Sequence, residues 1–254
     1  ETDINPNHIV RCGKKDNFWE MGETGPCGPC SEIHIDTYDD FANKEIEINP
    51  DTGGLADRYM ELWNLVFIQY NRQEDGSLEE LPEKHVDTGA GLERITAYLQ
   101  GVPSNYDTDL FKPIIETIVS LTGVPYQGDI KGMPHRVMAD HIRTLVFGIA
   151  DTIRPSNDGR GYVLRRLLRR ALRYAQQLGV TSPILYQLVP SVITILGDHF
   201  DHLEPQKDYI QRLIKAEEDS FLQTLEQGIQ RFDSLTSELK STNITTISGE
   251  DAFK

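Results

Sequence analysis

The sequence predicts an α+β chain in which an antiparallel sheet comes first and an all-helical region follows. Three observations carry this. Residues 59–70 are rich in aromatic and β-branched side chains and are followed by Gln73-Glu74-Asp75-Gly76-Ser77, a hairpin turn signal, so the strands here are joined by turns. From Asp107 onward the apolar residues recur mostly at helical spacing. The charge also divides: residues 1–131 hold 10 basic and 25 acidic side chains, whereas residues 132–254 hold 15 of each. Turn residues cluster at 128–134, where this balance shifts, and they set the expected boundary between a domain at 1–131 and a helical domain at 132–254.

Each element follows from its own residues. The stretch 22–31 is turn-rich and excludes a helix. Glu32-Ile33-His34-Ile35-Asp36 alternates polar with apolar and predicts a half-buried strand. Residues 37–57 are acidic and irregular, with Pro50 and Gly53-Gly54, and read as a surface loop. A helix over 89–99 opens on a glycine-rich turn, and further helices are expected at 136–150, 162–178 and 183–197, with a loop at 155–161. After Pro205, residues Ile210, Leu213, Ile214, Phe221, Leu225, Ile229, Phe232 and Leu239 trace one long amphipathic helix.

Composition narrows the function classes. Hydrophobic residues make up 38% and charged residues 26%, as in a soluble globular protein. No apolar run approaches the roughly 18 residues of a membrane span, so no membrane partner is expected. Three cysteines without a secretory signal argue against a disulfide framework and for a reducing, cytoplasmic compartment. The chain begins Glu1-Thr2-Asp3 without an initiator Met, which reads as a fragment. A net charge of −15 at first argues against a nucleic-acid partner. Its distribution reverses that reading, because residues 132–180 hold nine basic side chains against three acidic ones. Phosphate contacts act within about a Debye length of ~8 Å, so a local basic surface on an acidic chain can hold a polyanion.

Three segments carry chemistry. On a helix, Leu164, Leu167, Leu168, Ala171, Leu172 and Ala175 share one face, while Arg165, Arg166, Arg169, Arg170 and Arg173 share the other. The run holds no acidic neighbour at the spacing of an ordinary solvated face, so the stripe suits phosphates; pairing with acids elsewhere in the chain is the alternative. In residues 87–94, Gly89 and Gly91 permit close backbone approach at a helix start, a favourable place for a phosphate, with Arg94 near the first helical turn; on these residues alone a plain glycine turn is an equal alternative. Cys27-Gly28-Pro29-Cys30 has the spacing of half a zinc site, but no fourth ligand follows at a fitting distance. No metal is assigned, and a buried or loop-packing pair is the favoured reading.

Five segments resemble the alanyl-tRNA synthetases, in family order and over nearly the whole chain. The first is Asn17-Phe18-Trp19-Glu20-Met21-Gly22-Glu23-Thr24-Gly25-Pro26-Cys27-Gly28-Pro29-Cys30-Ser31-Glu32-Ile33, and the second is Leu62-Trp63-Asn64-Leu65-Val66-Phe67-Ile68-Gln69-Tyr70-Asn71-Arg72. Residues 87–94 are similar to motif 3 of class II synthetases. Arg136-Val137-Met138-Ala139-Asp140-His141-Ile142-Arg143 and residues 154–170 resemble the family's tRNA-recognition helices. The resemblance implies the second half of a class II aminoacylation domain followed by a helical region that recognises the tRNA-Ala acceptor stem. In that family alanine and ATP, the latter with Mg2+, form alanyl-adenylate, and the alanyl group then passes to the 3′ end of tRNA.

By resemblance, Asp87 binds the alanine ammonium, Gly89 lines the methyl pocket, Trp19 and Val66 wall it, and Asn64 adds a polar contact. Gly91 and Arg94 face ATP, with Arg94 on its phosphates. Asn157 in the 155–161 loop matches the position that reads the acceptor-stem G·U pair. Arg160 and the arginines of the following helix hold the RNA backbone. Zinc is not expected. The chain also departs from the family: nothing before Asn17 resembles motifs 1 and 2, no editing domain is apparent, and Ala90 stands where a larger apolar residue is expected. The segment Gly249-Glu250-Asp251-Ala252-Phe253-Lys254 stops short of the expected aspartate partner of Asn157. A fragment inactive or weak in adenylate formation follows. A non-catalytic RNA-binding module is the competing reading.

Overall fold

Strand formation starts where the β-branched and aromatic content is highest. In the computed structural model, which describes residues 4–37, 46–48, 55–56, 58–241 and 245–250, strand β3 runs Tyr59–Arg72 at the centre of a four-stranded sheet. A short helix α1 (Lys14–Asn17) leads into β1 (Phe18–Glu20), β2 (Gly25–Asp36) precedes β3, and β4 (Leu78–Ala90) follows it. The order is β1-β2-β3-β4 and every pair is antiparallel, as the hairpin signal at 73–77 predicts. The sheet ends in helix α2 (Leu92–Gln100).

Two local readings change. The turn-rich stretch is extended from Gly25 onward and belongs to β2. The ladder to β3 shifts register between Cys27 and Cys30, and prolines without an N–H are tolerated beside such an interruption. A side chain at Gly28 would put its Cβ 1.9 Å from the Phe67 carbonyl oxygen, so only glycine lets the strands approach there. The second change is at 87–91. Asp87 and Gly89 are still in β4, and the helix begins only at Leu92, with Gly91 as its N-cap. Most of the 37–57 stretch read as a loop lies outside the described residues; within it Ile48 bridges Leu55.

The chain divides into two compact units, Glu1–Thr108 and Asp109–Lys254. The turn cluster at 128–134 lies inside the second of these units. Helix α3 (Lys112–Thr122) belongs to the helical unit, because Ile114, Ile115 and Ile118 are buried there and Thr117 shares a 2.8 Å hydrogen bond with Ser191. Helices α4 (Met133–Ala150), α5 (Gly159–Gln177), α6 (Val189–Leu196) and α7 (Lys207–Ser241) complete it. Met138, Ile142, Leu145, Ile149, Leu168, Leu172, Ile210 and Ile214 form the centre of its core.

The helix expected over 183–197 is instead a 3-10 turn, Leu185–Leu188, followed by α6. Pro190 in the first turn of α6 cannot donate into a preceding α-helix. The backbone N–H groups of Ile184, Leu185 and Tyr186 donate to the carboxyl of Glu218 on α7 at 2.8–3.0 Å. Glu218 is fully buried, and that burial pushes its carboxyl up to about 7 against the opposing pull of the three N–H groups.

The folded state therefore holds a proton on Glu218 over a range where the unfolded chain has lost it, so its contribution falls as pH rises from about 4.5 to about 7. Denaturant titrations across this range should show the stability advantage of wild type over Glu218→Gln shrinking by about 3 kcal/mol. A pH-independent difference between the two would show that Glu218 does not titrate there.

Candidate functional site

The sheet register assembles four of the five predicted pocket residues. Asn64 stands opposite Gly89, and Val66 stands opposite Asp87. Opposed residues share a face, as do residues two apart on one strand, so the four form a block on one face of β3 and β4. On the other side of β3, Glu32 pairs with Asn64 and Cys30 with Val66, which extends the same face to β2. Trp19 is on β1, opposite Gly28, and is half-buried. Val66 is buried, whereas Asp87 and Gly89 are exposed.

Polar contacts fix this block. The Asn64 amide Nδ2 donates to Glu32 Oε1 at 3.1 Å, and the other Glu32 oxygen lies 2.8 Å from His34 Nε2. This orientation leaves the Asn64 Oδ1 buried and without a hydrogen-bond partner among the described residues. Gly89 is required neither by packing nor by backbone strain: a Cβ there would meet nothing within 4 Å, and its φ is not among the positive ones. Arg94, in the first turn of α2, donates to the Glu61 carbonyl at 2.9 Å and is nearly half exposed. A Cβ at Gly91 would lie 3.2 Å from the Arg94 side chain, so the absence of one leaves that side chain room to lie across the helix start.

The cysteines do structural work. Cys27 and Cys30 are both buried on β2, and the Cys30 thiol donates to the Asp16 carbonyl at 3.4 Å. Burial pushes the Cys30 thiol up, away from a metal-ready thiolate. Among the described residues no group of three or more His, Cys, Asp or Glu side chains could hold a metal ion.

Helix α5 builds the second part of the site. Leu164, Leu168, Ala171, Leu172 and Ala175 are buried as the stripe predicts, and Leu167 is half-buried. The polar face lines an open groove of about 580 Å³ that gathers Asn157, Arg165, Arg166, Arg169, Arg170 and Arg173. Tyr162, Tyr174, Gln177 and Phe221 line it as well. The arginines are not equivalent. Arg165 forms a two-pronged ion pair with Glu217 of α7, at 3.1 and 2.8 Å, and is mostly buried. Its remaining donors reach Asn157 Oδ1 at 2.6 Å and the Pro155 carbonyl at 3.2 Å. The Arg169 guanidinium stacks 5.2 Å from the Phe221 ring. Arg160, Arg166, Arg170 and Arg173 are exposed and have no ion-pair partner among the described residues.

The full length of the chain matches the family model described as tRNA synthetases class II (A), over residues 1–254. The chain belongs to this family. It is 54% identical over 257 residues to the alanine–tRNA ligase of Chlorobium phaeovibrioides, covering 100% of this chain and 28% of the relative. It is 48% identical over 249 residues to the alanine–tRNA ligase of Bacteroides fragilis, covering 97% and 29% respectively. The chain thus spans less than a third of the curated relatives it matches. As a class II (A) synthetase chain it carries both an antiparallel sheet and a helical unit.

The sequence offered no signal for Glu217. It lies 52 residues from Arg165, on a helix whose apolar period reveals only its buried face. Glu32 is likewise visible as a partner of Asn64 only once the register is known.

The loop that carries Asn157 packs closely on the start of α5. A Cβ at Gly161 would lie 2.2 Å from the Arg154 carbonyl oxygen and 2.3 Å from Ser156 Oγ, so the loop packs on bare backbone. Gly161→Ala should lower stability by about 1–3 kcal/mol in chemical denaturation, the usual range for overpacking a filled site. An unchanged unfolding midpoint would mean that the loop moves aside freely.

Proposed function

We propose that this chain is the part of an alanine–tRNA ligase that combines half of the amino-acid-activating domain, including motif 3, with the helices that hold the tRNA-Ala acceptor stem. The observation that carries the reading is the block of Asn64, Val66, Asp87 and Gly89 on one sheet face. Asp87 supplies an exposed carboxylate and Asn64 an unpartnered buried carbonyl, two acceptors suited to an ammonium group. A buried acceptor without a partner costs about 1–3 kcal/mol, and a ligand N–H removes that cost. Gly89 leaves space where the fold itself does not ask for it, and Val66 and Trp19 supply apolar walls for a methyl group.

Arg94 holds a permanent charge beside the start of α2, next to Gly91, where ATP phosphates would lie. Its role is to stabilise charge on the α-phosphate as the alanine carboxylate attacks and pyrophosphate leaves. Mg2+ would arrive with ATP, on its phosphates. Along α5, Arg160 in its first turn and Arg166, Arg170 and Arg173 beyond it are free to meet RNA phosphates, and Asn157, as the reader of base edges, lines the same groove as the last three. A purely RNA-binding module would account for the groove but gives no reason for the Asn64 and Gly89 arrangement.

In a full-length enzyme containing this chain, Asp87→Asn should lower kcat/KM for alanine in ATP–pyrophosphate exchange about 10- to 100-fold, the range for losing one charged hydrogen bond. The 254-residue chain alone should exchange weakly or not at all; near full-length rates would overturn the assignment of missing phosphate contacts to another segment.

RNA binding is checked separately, by filter binding of a hairpin carrying the tRNA-Ala acceptor stem. Arg170→Gln should weaken G·U and G·C hairpins alike and reduce the salt slope by about 1, whereas Asn157→Ala should erode only the preference between them.

A further inference from the structure

The contacts of Asn157 define its chemistry more sharply than its place in the groove does. A guanidinium has donors only, so the Asn157 atom 2.6 Å from Arg165 Nη1 is its carbonyl oxygen. Arg165 cannot turn away to release it. Glu217 grips Nε and Nη2 of the same fork at 3.1 and 2.8 Å, and the Pro155 carbonyl takes Nη2 at 3.2 Å. The pair is four-fifths shielded from solvent on both sides, which fixes the guanidinium plane. The fork therefore takes one lone pair of the amide oxygen, holds that end of the amide against its positive charge, and leaves both Nδ2 hydrogens for the groove that Asn157 lines.

We infer that Arg165, held by Glu217, is a positioning residue that fixes Asn157 as a hydrogen-bond donor, so that the tip reads an acceptor on the RNA, a base-edge carbonyl or ring nitrogen. The exocyclic amino group that a wobble guanine leaves free in the minor groove is itself a donor, so the Nδ2 end does not read it. The inference rests on the proposed role of Asn157 and adds the polarity of its contact and the residue pair that sets it. One arginine of the stripe thus serves the reader, while its neighbours remain for phosphates.

Filter binding of the acceptor-stem hairpin, with G·U, G·C and inosine·U as the third pair, tests this. Inosine deletes only the amino group. Asn157→Ala should reduce the G·U preference about fivefold, the order of one neutral hydrogen bond. The same variant should cost as much on the inosine·U hairpin, within twofold, because Asn157 does not touch the deleted group. Arg165→Lys, which keeps the charge but not the fork, should remove most of the Asn157→Ala effect, so that the double variant loses little more than either single one. Glu217→Gln should do the same by loosening the fork, and serves if Arg165→Lys lowers the unfolding midpoint.

Three results overturn the proposal. If Asn157→Ala has no effect on the inosine·U hairpin, Asn157 accepts from the guanine amino group. If Asn157→Ala keeps its full effect in both the Arg165→Lys and Glu217→Gln backgrounds, the fork does not position it; in either case Asn157 remains the reader. If Asn157→Ala leaves the G·U preference intact, the reading of Asn157 fails and this inference with it.

Discussion

Helix α5 can bury only one of its two faces, and the helical unit is organised around that constraint. Its leucine and alanine stripe packs inward so tightly that a Cβ at Gly148 of α4 would sit 2.9 Å from Leu164. With that face committed, five arginines in nine residues have to leave the core on the other side. A guanidinium cannot shed its charge, so each one needs solvent, an acid or an aromatic face. All three solutions occur: Arg166, Arg170 and Arg173 are exposed, Arg165 takes Glu217, and Arg169 takes Phe221. The two partnered arginines sit where α7 crosses, so the helix that completes the core also sorts the stripe into structural and available charges.

The sheet obeys a different constraint. An antiparallel meander fixes which residues oppose each other, and a slip of one residue would send every side chain to the opposite face. The pairing of β3 with β4 is what sets Asn64 beside Gly89 and Val66 beside Asp87. The glycine at 28 and the bulge after Cys27 absorb an interruption of the β2–β3 ladder, and further shifts fall at Ile33/His34 and Ile68/Tyr70, so the pairing is regular from Trp63 to Val66. The proposed pocket thus sits on the regular stretch between these shifts.

Much of this was legible without coordinates. The hairpin signal at 73–77, the β-branched run of β3 and the two-faced pattern of α5 each reflect a local period that the chain must satisfy wherever it folds. The departures share a cause. Residues 25–31 look like a turn because glycine and proline dominate, but a bulged ladder accepts both. Gly89 looks like a helix start because the helix is near, yet pairing with Asn64 keeps it in the strand. In each case a tertiary contact outweighed a local propensity.

What the sequence by itself determined was the α+β order, the amphipathic split of α5 and the resemblance from which the proposed site residues follow, because residue type and spacing are local properties. What only the tertiary structure decided was how those side chains are used. Glu32 and Glu217 lie 32 and 52 residues from the groups they hold, so no window along the chain reveals them. Those two carboxylates set which end of each amide the fold uses, Glu32 by taking the Asn64 Nδ2 directly and Glu217 by holding the Arg165 that donates to Asn157 Oδ1, since an amide offers donors at one end and an acceptor at the other.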